Sequence, residues 1–247
     1  MKKYYYDLHV HSSLSPCGDE DSTPNNIAGM ATLSELDIVA LTDHNTAKNC
    51  PAFFSAARKY GIIPIAGMEL TSAEDIHVVC LFEKLSDALE FDKFVYTKRI
   101  LVKNRPEFFG EQLILSENEE IIGREEFLLT NATTLSLDEI LPAVRSFGGV
   151  AYPAHIDREA NGIIAILGTV PSDTEYKLFE LRDRESLDEI SAKYGIDKEN
   201  FIISSDAHSL EAIRDKENFF ILPEGDEDTV RHELFKRLRK KAFGGEV

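Results

Sequence analysis

Short apolar runs alternate along this chain with stretches in which apolar residues recur at helical spacing. Residues 4–10, 38–42, 62–66, 76–82, 150–153, 176–181, 201–205 and 219–222 read as strands, several of them rich in Val and Ile. Between them lie helical stretches with readable ends. Thr23 is an N-cap with Pro24 at the first position of a helix reaching residue 33, and Gly61 closes a helix over 52–60. Ser136 and Glu139 form a capping box that opens a helix ending near Gly148 and Gly149. Ser186 and Glu189 repeat the box before a helix that stops at Gly195. A short helix over 210–214 and a long, basic-tipped one over 227–242 complete the pattern. Such alternation predicts an α/β chain built on a parallel sheet or barrel. Residues 83–135 break the rhythm with a charged helical stretch over 85–102 and a hairpin around Ser116-Glu117-Asn118. They read as an α+β insertion, either a lid or a decorated barrel loop, within a single domain spanning 1–247.

Composition narrows the setting. The chain is 43% hydrophobic and 29% charged, the range of an ordinary globular protein. At 247 residues one core can bury about three quarters of the unfolded surface without disulfides. The three cysteines, Cys17, Cys50 and Cys80, have no framework spacing and fit a reducing compartment. No apolar run reaches the roughly 18 residues of a membrane span, and the basic N-terminus is not followed by an apolar segment. The expectation is a soluble cytoplasmic protein with no membrane partner. A net charge of −17 argues against long nucleic acid, whose binding needs phosphate-neutralising Lys and Arg. It leaves room for a small phosphorylated substrate held through metal ions.

The candidate chemistry sits at strand ends. His9 and His11 flank one residue at the end of the first strand, so both imidazoles share a face and can reach one ion. Asp206 and His208 repeat that spacing after the strand over 201–205. Asp43 and His44 follow the strand over 38–42, with His44 the candidate ligand and Asp43 its orienter. Glu69 follows the strand over 62–66, and its two oxygens can bridge two cations. His155 ends another strand, whereas His77 lies at the beginning of one. Of the seven histidines only His232, inside the final helix, reads as a surface residue. Chemistry in α/β barrels gathers at the C-terminal strand ends. Six imidazoles with Glu69 and Asp206 could hold two or three divalent cations, and zinc, manganese and iron all accept imidazole. Such a set stabilises an oxyanion and acidifies water to hydroxide near neutral pH, which suits hydrolysis of a phosphate ester. No GxxxxGK[ST], HExxH or GxSxG pattern is present.

The series Asp7-Leu8-His9-Val10-His11, Thr42-Asp43-His44, Gly67-Met68-Glu69, the lone His77 and His155, and Ser205-Asp206-Ala207-His208 resembles the motifs of PHP-domain metal-dependent phosphoesterases (polymerase and histidinol phosphatase). The resemblance runs from residue 7 to 208 in the family's order. It implies a distorted (β/α)7 barrel carrying three metals. His9, His11, Glu69 and Asp206 would hold the first; Glu69 would bridge to a second completed by His77 and His155; His44 and His208 would hold a third. Relatives often add an Asp or His shortly after the HxH pair. Here Pro16 cannot ligate, and Cys17, Asp19 or Asp21 would have to substitute, Asp19 being preferred as a carboxylate. Arg158, three residues past His155, is a candidate phosphate contact through its planar fork. Asp43 and Arg158 are thus the candidate catalytic residues beyond the ligands.

The resulting expectation is a phosphatase acting on a small phosphorylated metabolite or nucleotide, including a nucleoside bisphosphate or short oligonucleotide. An amidohydrolase-like C–N hydrolase also begins with HxH on a barrel strand, and a non-catalytic metal-binding domain is the third class. The separate Asp43-His44 and Asp206-x-His208 pairs fit the phosphoesterase pattern better.

Overall fold

Nine residues of extended backbone, Lys2–Val10, form β1. The first helix, α1 (Pro24–Leu33), starts where Thr23 accepts a hydrogen bond from the Asn26 amide. After β2 (Ile38–Leu41) comes α2 (Cys50–Tyr60), which begins two residues ahead of the sequence expectation because Pro51 is tolerated in a first turn. Gly61 ends it in the left-handed conformation, φ 74°. The next strands, β3 (Ile63–Thr71) and β4 (His77–Phe82), are joined by a short turn. Then follow α3 (Leu85–Tyr96), α4 (Pro106–Phe109), β5 (Leu113–Leu115) and β6 (Ile121–Arg124). The capping box at Ser136 and Glu139 opens α5 (Leu137–Ser146), which leads to β7 (Val150–Pro153) and α6 (Ile163–Leu167). The chain closes with β8 (Phe179–Leu181), α7 (Leu187–Tyr194), β9 (Phe201–Ile203), β10 (Phe219–Leu222) and α8 (Glu227–Phe243). This computed structural model describes residues 1–244.

The second expected capping box does not form. Asp183 caps a 3-10 turn at 184–186 that runs straight into α7, so Ser186 is already helical (φ −71°, ψ −15°) and cannot act as a cap.

Six strands pair in the order β10-β1-β2-β3-β4-β7. The sheet is not wholly parallel: β1, β2 and β3 run parallel, but β4 is antiparallel to both β3 and β7, and β10 lies antiparallel on β1. The turn between β3 and β4 is too short for a crossover, so only a hairpin can form. A parallel pair, β8 and β9, bridges the remaining gap. Ile156 N donates to Glu180 O on one side, and on the other His11 N donates to Ala207 O while Ala207 N donates to His9 O. The curled sheet is thereby a distorted α/β barrel with β10 outside it.

Two apolar layers set the strand faces. Inside the barrel lie Tyr6, Leu8, Ile38, Ile65, Val79 and Tyr152, and α8 adds Leu234, Phe235 and Leu238 to the same cluster. Arg231 Nε donates to Pro64 O and Arg239 Nη2 to Gly148 O, which fixes α8 across the end where β3 and β7 begin. The outer layer packs the strands on α1, α2, α3, α5 and α7, with Val39, Leu41, Phe53, Phe91 and Val144 fully buried. The open end is therefore the one where β1, β2, β3 and β7 finish.

Over that end stands part of the 83–135 segment. Its α3 sends Ala88, Phe91 and Val95 into the outer core. Beyond α3, Leu113 N donates to Ser13 O, Asn49 bonds both the carbonyl of Leu113 and the amide of Leu115, and Thr133 N donates to Thr71 O.

Candidate metal centre

A register shift between Asp7 and Val10 disturbs β1 where it meets β2. Leu8 stays in the interior layer but Val10 joins the outer one. The bulge thus turns His9 and His11 into the barrel mouth, with His9 Nε2 3.1 Å from His11 Nε2. Glu69, in β3, is the centre of the group. Its Oε1 lies 2.8 Å from His77 Nδ1, 2.9 Å from His155 Nε2 and 3.4 Å from His9 Nε2. Its Oε2 lies 3.0 Å from His44 Nδ1 and 3.3 Å from His11 Nε2. Asp206 Oδ1 lies 3.5 Å from the Nε2 of both His9 and His11.

His77 belongs here although it begins its strand. Because β4 runs back along β3, its first residue pairs with Thr71, the last of β3, and so stands at the open end. Backbone strain marks two further positions: His155 (φ 28°) and Asp206 (φ 53°) are left-handed without being glycine, a conformation that costs of order 1–3 kcal/mol and collects at functional sites.

Hydrogen bonds behind the imidazoles select their tautomers. Glu180 Oε2 sits 2.8 Å from His9 Nδ1 and also accepts from His155 N. Ser15 Oγ donates to Asp43 Oδ1, so it accepts from His11 Nδ1 at 2.9 Å. His208 Nδ1 faces the Asp206 carbonyl at 2.8 Å. Each contact fixes the proton on Nδ1, so that Nε2, which faces the mouth, is the nitrogen left for a cation to take. Asp43 is spent on this work, since Ser12 N and Ser12 Oγ donate to it as well. Asp7 plays a matching part at the seam, where Oδ1 accepts from Ser205 N and His9 N.

Charge follows from burial and crowding. Burial opposes a charged His9, but Glu180, Glu69 and Asp206 outweigh it and hold its pKa well above the ordinary imidazole value. His11 is also opposed by burial, yet Asp206 and Glu69 push it up to about 9. His44 goes the other way: burial, together with His11, His77 and His208, overcomes Glu69 and holds it well down. Burial and His11 take His208 down to about 4. Despite their own burial, Glu69 and Asp206 are held well below the usual carboxylate range by the imidazoles around them.

This donor set fits divalent cations. His9, His11, Glu69 and Asp206 offer ligand atoms all within 4.8 Å of one another, as do His44, Glu69 and His77, and His11, His44 and His208. Glu69 Oε2, Asp206 Oδ1 and His44 Nδ1 are buried with no hydrogen-bond partner. Since Ser15 occupies His11 Nδ1, only Nε2 is left, and a single ion can take it. The expected Asp19 does not join the cluster. Turns from Ser15 N to Ser12 O and Ser22 N to Asp19 O hold its loop, Asp19 N donates to His208 O, and its side chain is exposed, as are Cys17 and Asp21. Arg158 Nη1 reaches Asp206 Oδ2 at 2.5 Å rather than its neighbours Asp157 and Glu159.

Glu180 carries no spacing signal and was not legible as part of the site. The one clue is a carboxylate within the apolar strand Phe179-Glu180-Leu181, where a charge is retained only with a partner. Ser15 lies in a loop whose only readable feature was its acidity.

A distorted barrel with clustered imidazoles and carboxylates at its open end is the build of a metal-binding α/β-barrel protein. The chain belongs to the PHP domain family, whose model matches residues 7–195. Asp206 and His208 lie beyond the matched residues. Over 77 residues, 31% of this chain, it is 36% identical to an error-prone DNA polymerase of Symbiobacterium thermophilum, of which that stretch is 7%. The fold resembles the lesion-specific endonuclease EndoQ of Pyrococcus furiosus, with a TM-score of 0.64 at 21% identity, over 99% of this chain and 57% of that one. A complex of Endonuclease Q with a 27-mer duplex bearing an abasic lesion at the active site gives 0.61 at 19% identity, over 96% and 57%. A protein of Bifidobacterium adolescentis assigned as a metal-dependent phosphoesterase gives 0.53 at 18%, over 94% and 96%. The chain spans a small part of that polymerase and little more than half of the endonuclease.

The endonuclease complex overturns the argument that the charge excludes long nucleic acid. A duplex occupies the active site of a protein with this fold. Net charge sums the whole surface, whereas phosphate binding answers to the local field at the site. Among the described residues, no helix is long and apolar enough to cross a membrane.

Proposed function

We propose that the protein is a metal-dependent phosphoesterase acting on a phosphate ester of a nucleotide or a nucleic acid strand. The observation that carries this reading is the convergence of six imidazoles on Glu69 and Asp206 at the mouth of a PHP-family barrel. In it His9, His11, Glu69 and Asp206 hold one cation, Glu69 with His77 and His155 a second, and His44 with His208 contributes to a third. Zinc, manganese and iron all suit these donors. Bound cations supply positive charge for the phosphoryl oxygens and acidify water.

The chain's own residues do the rest. Glu180 and Ser15 hold the Nδ1 proton of His9 and His11, so that Nε2 is the nitrogen each ring would turn to a cation once its second proton is displaced. Asp43 acts through Ser15 as a positioning residue. Arg158, already at the edge of the cluster, presents a planar donor fork to the phosphate. Solvent reaches the group past His77 and His208, whose side chains are 12% and 30% exposed against at most 2% for His9, His11 and Asp206.

The test is ester hydrolysis by metal-loaded protein on nucleotides, short oligonucleotides and an abasic-site duplex, with a chelated control. Chelator-sensitive cleavage is expected, and His11→Ala or Asp206→Ala should lower it by more than about a hundredfold. Full turnover in both variants, or none on any of the substrates with metal bound, would overturn the proposal.

A further inference from the structure

One side of the barrel mouth has an apolar rim, carried by α4. No residue of this four-residue helix is buried; Phe108 is 70% exposed and Phe109 41%. Single exposed apolar side chains are ordinary, but Ile100, Leu101 and Val102, which lead into the helix, are exposed as well. The rings are braced. Cζ of Arg105 lies 4.8 Å from the centroid of the Phe108 ring and 5.9 Å from that of Phe109, so one guanidinium serves both. Asn104 Nδ2 donates to Gly110 O and closes the turn around the helix. Short steps tie α4 to the metal centre. A Cβ at Gly110 would stand 2.9 Å from the carbonyl oxygen of Pro16, and Leu113 N donates to Ser13 O. Ser13 and Pro16 belong to the loop in which Ser15 holds His11 and Asp19 N donates to His208 O. The rings therefore border the loop that frames the cluster on its His11 and His208 side, where solvent reaches it. Charge does not single this surface out, since residues 103–111 set Lys103 and Arg105 against Glu107 and Glu111. What it offers is the faces of the rings.

Five exposed side chains are far fewer than the roughly 20–30 residues a side of a stable protein interface. They match something smaller and flat. Nucleobases stack on aromatic side chains and on guanidinium planes, whatever the base. A base inside a duplex has both faces covered by its neighbours, so one that reaches these rings is unpaired. We infer that Phe108 and Phe109, braced by Arg105, form a stacking platform for an unpaired base of the strand whose phosphate the metals receive. The substrate class is then a single-stranded segment, or a base displaced from a duplex, rather than a phosphate ester that lacks a base. Preference among the bases is weak, because each has a π-face to offer. This deepens the proposed phosphoesterase reading and rests on it for the course of the strand toward the metals.

The test is equilibrium binding to the metal-loaded protein, by titration calorimetry, of a short single-stranded oligonucleotide with non-hydrolysable linkages. A strand of the same length and linkage in which every site is abasic is the second probe. Wild type should bind the base-bearing strand at least about tenfold more tightly than the abasic one. Phe108→Leu with Phe109→Leu keeps the apolar bulk and removes both ring faces, and it should bring the two affinities together. Phe108→Tyr with Phe109→Tyr should retain the preference. Because α4 buries none of its residues, both variants should melt with wild type. Equal affinities in wild type, a preference that survives in the leucine variant, or weaker binding of the abasic strand by that variant would overturn the inference. So would sedimentation showing a wild-type dimer that the leucine variant disperses, which would give the rings to a second copy of the chain. A preference lost in the leucine variant, with no ester hydrolysed by wild type, would instead sink the phosphoesterase reading and leave the platform standing.

Discussion

Proton placement on the imidazoles is decided by residues that never face the mouth of the barrel. Glu180 is the strongest case, fully buried and shared between the His9 ring and the His155 amide. Its replacement by Gln keeps the shape and removes the charge. Metal affinity, read by competition with a chromophoric chelator, should fall by about tenfold, in line with the loss of a ligand's outer partner. A pH effect follows from His11. Its folded pKa, about 9, lies above the ordinary value of 6.5. The stabilisation is therefore complete below 6.5 and is lost as pH rises through 9, on the order of 3 kcal/mol for this buried group. Metal-stripped protein should melt at a lower temperature at pH 9.5 than at pH 6.5. Metal-loaded protein should show the opposite trend, because cations need the imidazoles deprotonated. His9 and His11 were legible from spacing alone; Glu180 and Ser15 were not, since their importance comes from what the fold lays against them.

At the scale of elements, the hairpin of β3 and β4 decides which histidines meet. Alternation of strand and helix suggested parallel strands throughout, and on that basis His77 looked misplaced at the start of its strand. Reversal of β4 puts it beside Glu69, a topological fact that periodicity does not encode. The same hairpin depends on Gly67. A Cβ there would stand 2.6 Å from the carbonyl oxygen of Cys80 and 2.9 Å from Leu81 Cδ2, two residues from Glu69. Gly67→Ala should therefore cost about 1–3 kcal/mol and lower metal content as well, measured by thermal melting and by metal analysis of the purified variant. Strands and helix caps were otherwise readable, because they depend on local chemistry. The second capping box failed where Asp183 offered a nearer cap.

Over the whole molecule, the barrel and its closure were only partly foreseeable. Alternation of strands and helices indicated a parallel sheet or barrel, and the resemblance supplied the distorted (β/α)7 form. What neither revealed is that ligands occupy both lips of the joint between β1 and the segment after β9. Val10 meets Ala207 there through an isolated bridge. His9 and His11 lie on one lip, and Asp206 and His208 on the other. A cation shared by His9, His11 and Asp206 would be a rivet through a hoop. Amide hydrogen exchange at His11 and Ala207 should slow on loading with zinc or manganese, with little change in α8 at the far end; uniform slowing would contradict this. The ions that equip such a protein for chemistry would then also keep its hoop shut. Metal starvation would spring the joint first, so that inactivity and vulnerability to proteases would arrive together rather than in sequence.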